Sequence, residues 1–137
     1  IFAADGADAE KLIPKIKSAI GAYEYRNYGD YSAWPGPNSN TFVAFVLRKV
    51  PELRVDLPPT AIGKDYLGWK SVGKTPSGTG GQASLFGGVG VAAGLEEGVE
   101  VNLLGLNFGV DPKSLSIKLP IVGRLGPANQ PEPVTID

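Results

Sequence analysis

The sequence predicts an α+β fold in which two main helices pack on an antiparallel sheet. Apolar residues recur at helical spacing in two stretches before residue 51, whereas from Ala83 they alternate with a period of two. Turn formers, Gly94 to Gly98 and Asp111-Pro112, lie between the alternating runs. A chain of 137 residues has the size of one domain with one core. Residues 1–126 are expected to form that unit, and the Pro-rich residues 127–137 a tail over its surface.

The first helix is predicted over Asp8 to Tyr23. Ala9, Leu12, Ile13, Ile16, Ala19, Ile20 and Tyr23 make one stripe, while Glu10, Lys11, Lys15 and Lys17 face water. Asp8 suits the N-cap, and Pro14 is expected to bend the helix or move its start to Lys11 or Leu12.

Four tyrosines, Tyr23, Tyr25, Tyr28 and Tyr31, then crowd together before Trp34, as expected of an aromatic loop folded over the core. Trp34-Pro35-Gly36-Pro37 is predicted to be extended and stiff, because each proline fixes its own φ and pushes its predecessor out of the α region. Asn38, Ser39 and Asn40 offer side-chain oxygens where a helix's first N–H groups lack partners. From Thr41 the apolar residues are too dense for a surface helix, so the second helix is predicted to be buried on most sides. It ends on Arg48 and Lys49, and Pro51 stops it.

Glu52 to Tyr66 reads as an edge strand or ordered loop interrupted by Pro58-Pro59, with Lys64 and Asp65 a solvated charged pair. Trp69 to Gln82 reads as a Gly/Ser-rich loop. Leu85, Val89, Val91 and Ala93, then Val99, Val101 and Leu103, flank a hairpin turn at 94–98. A third strand, Ser114 to Pro120, places Leu115, Ile117 and Leu119 on one face.

Composition excludes several functions. With 13 basic and 14 acidic residues the net charge of -1 gives no basis for binding nucleic acid or an anionic membrane surface. The chain has no cysteine and no histidine, which removes the thiolate nucleophile and the commonest general base and metal ligand. No metal or cofactor site is predicted. The longest mostly apolar run, Ala83 to Leu95, falls short of the ~20 residues that span a bilayer as a helix. Membrane association would therefore need residues upstream of Ile1.

Two nucleotide-binding motifs match in letters only. GWKSVGKT at 68–75 has the spacing of a phosphate-binding loop, but Pro76 to Gly81 cannot continue as the required helix. Gly88-x-Gly90-x-x-Ala93 has a dinucleotide spacing, but a hairpin follows it in place of a crossover helix.

WPGPNSNTFVAFVLRKVPEL, LPPTAIGKDYL, PSGTGGQASLFG and GLEEGVEVNLLGLNFGVD resemble a bacterial family known as domain of unknown function 3750, over most of residues 10–126. The resemblance brings no established activity. It implies that this chain is the C-terminal part of a longer protein whose upstream segment is strand-rich, contains a His-Thr-Trp-like stretch, and in some members carries an apolar anchor. Asn38-Ser39-Asn40-Thr41-Phe42-Val43 more distantly resembles the Asn-Cys-x-x-Phe of permuted papain-like proteins, the NlpC-type peptidases and lecithin retinol acyltransferase-like enzymes. That likeness implies a divergent papain-like fold with Ser39 at the cysteine position. The candidate site is therefore Ser39 as nucleophile, with Tyr31, Trp34, Asn38, Asn40, Lys64 and Asp65 around it.

Two functions follow. The first is a non-catalytic structural or interaction module at the bacterial cell envelope, membrane-associated or periplasmic, or an accessory subunit whose partner is another protein subunit or an upstream segment. The alternative is a serine-based amidase, peptidase or acyltransferase using Ser39 with a base from upstream of Ile1.

Overall fold

The computed structural model describes residues 3–127, and the fold is α+β: two helices and a seven-stranded antiparallel sheet. The predicted tail at 127–137 falls almost entirely outside the described residues.

Helix α1 spans Gly6–Gly21 and so starts before Asp8; Asp5 occupies the N-cap position, and Asp8 lies in the first turn, where its charge meets the positive end of the dipole. Pro14 stays inside the helix. It faces solvent, so water can satisfy the Glu10 carbonyl that it leaves without a donor. The buried stripe is narrower than predicted, Leu12, Ile16, Ala19 and Tyr23, with Ile13 and Ile20 exposed.

Helix α2 spans Ser39–Lys49. Thr41, Ala44 and Leu47 are buried, but Val43 is 42% exposed, so this helix is buried along one face and not on most sides. The segment before it is not extended: the Ser32 N–H donates to the Pro37 carbonyl at 2.8 Å and folds it back, with cis bonds before Pro35 and Pro37. After it, Pro51–Leu53 forms a 3-10 turn, and residues 54–66 are an ordered loop without a strand.

The apolar core joins Leu12 and Ala19 of α1 to Leu47, Val50 and Leu53, with Ile16, Val46, Val55 and Leu57 packed against it. No sheet residue belongs to it. Burying Leu12, Leu47, Val50 and Leu53 stabilises the helical layer by roughly 1.5–3 kcal/mol each.

The strands are β1 Val72–Lys74, β2 Gly80–Leu85, β3 Val89–Gly94, β4 Gly98–Leu103, β5 Leu106–Asp111, β6 Ser116–Leu119 and β7 Gly123–Leu125. They form a meander in sequence order, each antiparallel to the next. The stretch 69–82 thus holds β1 and the start of β2 instead of a loop, and β5 and β7 join the strands expected from the alternation. The predicted hairpin turn stands between β3 and β4. A Cβ at Gly98 would lie 2.2 Å from the Val110 carbonyl oxygen, so the sheet closes there only because the position is glycine.

The polarity of the sheet is inverted. Gln82, Ser84, Glu100, Asn102, Asn107 and Lys118 point inward and are buried. Val91, Val101 and Phe108 share one register row on the outer face, and Ala93, Val99, Val110, Ile117 and Leu125 another. The helices therefore do not meet an apolar sheet face, which is why α2 lacks a second apolar neighbour.

Candidate functional site

The start of α2 is built from Asn38. Its Oδ1 accepts the Thr41 N–H at 3.0 Å, which caps the helix, while its Nδ2 donates to the carbonyls of Ala33 and Ile62 at 2.9 and 3.1 Å. Asn40 donates to the same Ile62 carbonyl at 3.0 Å, and the Thr41 hydroxyl reaches Gly63. Asn38 and Asn40 thus tie the loop at 62–63 to the helix. Ser39 occupies the first helical position and is exposed, with no side-chain hydrogen bond among the described residues. Trp34 packs beside Gly105 at the β4–β5 turn, and Tyr31 is exposed.

Lys64 and Asp65 are buried, 3% and 8% exposed, which corrects the expectation of a solvated pair. They enter different networks under the sheet. Lys64 Nζ meets Glu100 Oε2 at 2.7 Å and donates to the Leu57 carbonyl. Asp65 accepts from Ser84 Oγ at 3.1 Å and Asn102 Nδ2 at 3.3 Å, and burial pushes its carboxyl up. Of the seven predicted residues, hydrogen bonds on one loop unite Asn38 and Asn40. Lys64 and Asp65 engage the sheet instead.

The charged array below the sheet continues from Glu100. Lys118 Nζ touches Glu100 Oε1 and Asp56 Oδ2, both at 2.6 Å, and Arg124 spans Asp56 and Asp111 at 2.5 and 2.8 Å. Burial raises the Asp56 carboxyl against the pull of Lys118 and Lys64, and its Oδ1 has no partner among the described residues. Burial also pushes Asp111 up, but Ser114, Arg124 and two backbone N–H groups outweigh it and hold the carboxyl at about 2. Three cations face three carboxylates, so the array neutralises itself, as buried charges must. Among the described residues no group of acids could hold a metal ion. Period-two alternation exposed the signal for this array, the polar residues at 100, 116 and 118, without telling which face turns inward.

Residues 1–66 match the family model DUF3750, described as a protein of unknown function. The chain is similar to that family over this stretch, just under half of its length. The DUF3750 match covers both helices and the loop reaching Asp65 and stops before β1. No curated protein and no solved structure matches the chain.

Proposed function

We propose that this chain is a non-catalytic structural module that assembles with a second copy of itself through the outer face of the sheet. The reading rests on one observation: the rows through Val91, Val101 and Phe108 and through Val99, Val110 and Ile117 stay solvent-exposed across four strands without an intervening charge. Four strands, β2 to β5, spaced about 4.8 Å apart and six residues long, cover roughly 400 Å² in projection. That lies within the roughly 300–600 Å² of the largest apolar patch on a typical monomer, a patch that is often functional. Standing side chains and the exposed hairpin tips Phe86, Leu104 and Ile121 extend it toward the roughly 800 Å² per partner of a stable complex. Small residues, Gly81, Ala83 and Ala93, lie toward β2, and large ones, Leu106 and Phe108, on β5. A two-fold axis would set the small side of one face on the large side of the other.

The Asn38–Val43 outline is what links this module to a papain-like scaffold, and its setting at the cell envelope follows from the family likeness alone. Sedimentation velocity across a concentration series tests the assembly. The expected result is a reversible dimer abolished by Val101→Asp with the fold intact; a native chain that stays monomeric throughout overturns it.

A further inference from the structure

Beyond assembly through the sheet, we infer that the cleft between α2 and β1 binds a small organic phosphate carrying a planar ring, of the nucleoside phosphate class. The cleft has a volume of about 420 Å³, and four cations, Arg48, Lys49, Lys70 and Lys74, line it against one carboxylate, Glu24. That volume suits a small ligand, since such pockets run from about 300 Å³ upward. An excess of three positive charges in one cleft of a chain with net charge -1 favours an anionic ligand there.

Arg48 is the most telling member. Its Nε donates to the Lys74 carbonyl at 3.0 Å, and its Nη2 to the Lys64 carbonyl and to Gln82 Oε1. All three acceptors are neutral, so the guanidinium is held in place without a carboxylate, and Nη1 keeps no partner among the described residues. Burial lowers the Arg48 pKa to about 10, offset by Asp65 and Glu97, so it remains charged at neutral pH. A fixed guanidinium with an unpartnered Nη1 and exposed lysines around it is an arrangement that recognises phosphate. Lys49 lies over the Phe45 ring at 5.6 Å, and neither Lys70 nor Lys74 has an ion pair among the described residues.

Aromatic rings line the same cleft. Tyr25 and Tyr66 meet edge to face with centroids 6.1 Å apart, and Phe45 completes the surface. A Cβ at Gly68 would lie 2.4 Å from the Tyr25 hydroxyl, so glycine there leaves room for the phenol. Aromatic walls favour a ligand with a flat π system over a bare anion. Gly68, Lys70 and Lys74 belong to the GWKSVGKT stretch, whose phosphate-loop spacing has no helix behind it. Here they contribute side-chain charge where such a loop would use helix dipole and backbone N–H groups.

Isothermal titration of the full chain with ADP, adenosine, phenyl phosphate and inorganic phosphate tests the site. ADP and phenyl phosphate are expected to bind saturably, with adenosine and inorganic phosphate each at least about tenfold weaker. Lys70→Gln with Lys74→Gln should weaken ADP at least about tenfold and flatten its salt dependence. Tyr66→Leu should weaken ADP but leave inorganic phosphate unchanged. Both lysine side chains are exposed and make no hydrogen bond or ion pair among the described residues, so the double variant should keep the native melting temperature. Absence of saturable ADP binding, binding unaffected by the lysine changes, or equal affinity for ADP and inorganic phosphate overturns the inference. The chain's oligomeric state decides the assembly reading separately.

Discussion

Lys118 Nζ and Glu100 Oε1 meet at 2.6 Å under the sheet, where Lys118 is 0% exposed. The sheet therefore packs through charge where most sheets pack through apolar side chains, and its stability depends on each charge keeping its partner.

Lys118→Met removes a buried cation shared by Asp56 and Glu100 and leaves both carboxylates short of a partner. The expected loss is about 3–5 kcal/mol in urea denaturation. Lys118→Met combined with Glu100→Gln should cost less than the two separate losses together, because the pair is coupled.

Asn38→Ala removes a helix cap and two ties to the loops at Ala33 and Ile62, so it should destabilise by about 2 kcal/mol or more. Ser39→Ala, at an exposed first-turn position, should stay within about 0.5 kcal/mol of the native chain. It should also leave acyl and peptide substrates as untouched as the native chain does; a hydrolysis lost on that substitution would show Ser39 to be a nucleophile.

Acid should act through Asp111. Its folded carboxyl lies at about 2, below the ordinary 3.8, so its contribution is complete above the unfolded value and disappears as pH falls through the folded one. Asp56 and Asp65 are shifted upward and work in the opposite sense, favouring the folded state as they protonate. The stability gap between the native chain and Asp111→Asn should therefore be full at neutral pH and close between about pH 4 and pH 2, as denaturation curves at stepped pH would record.

Much of the architecture was legible. The spacing of Leu12, Ile16 and Ala19 gave α1, Asn38 and Pro51 bracketed α2, and the alternation around Gly94 to Gly98 gave the β3–β4 hairpin. Other features depend on tertiary context. Nothing local distinguishes a strand such as Val99 to Leu103 with its valines inward from one with them outward, since a period of two fits both. The sheet's orientation is set at long range, by Asp56 and Lys64 reaching Lys118 and Glu100 across 62 and 36 positions of the chain. For the same reason Lys64 and Asp65 read as an ordinary solvated pair. Short, glycine-rich β1 and β2 gave no alternation to find, and Phe86, Leu104 and Ile121 stand at positive φ in turns where glycine or asparagine would have marked the bend.

The direction in which β4 faces can be measured on adjacent residues, because the native chain has no cysteine. Val101→Cys and Asn102→Cys would each be treated with a maleimide at high dilution, with acylation of Lys118 followed in the native chain. The inverted sheet predicts rapid labelling at 101, protection at 102, and no acylation of Lys118 until the protein is denatured. Protection at 101 together with ready modification of position 102 and of Lys118 would contradict it.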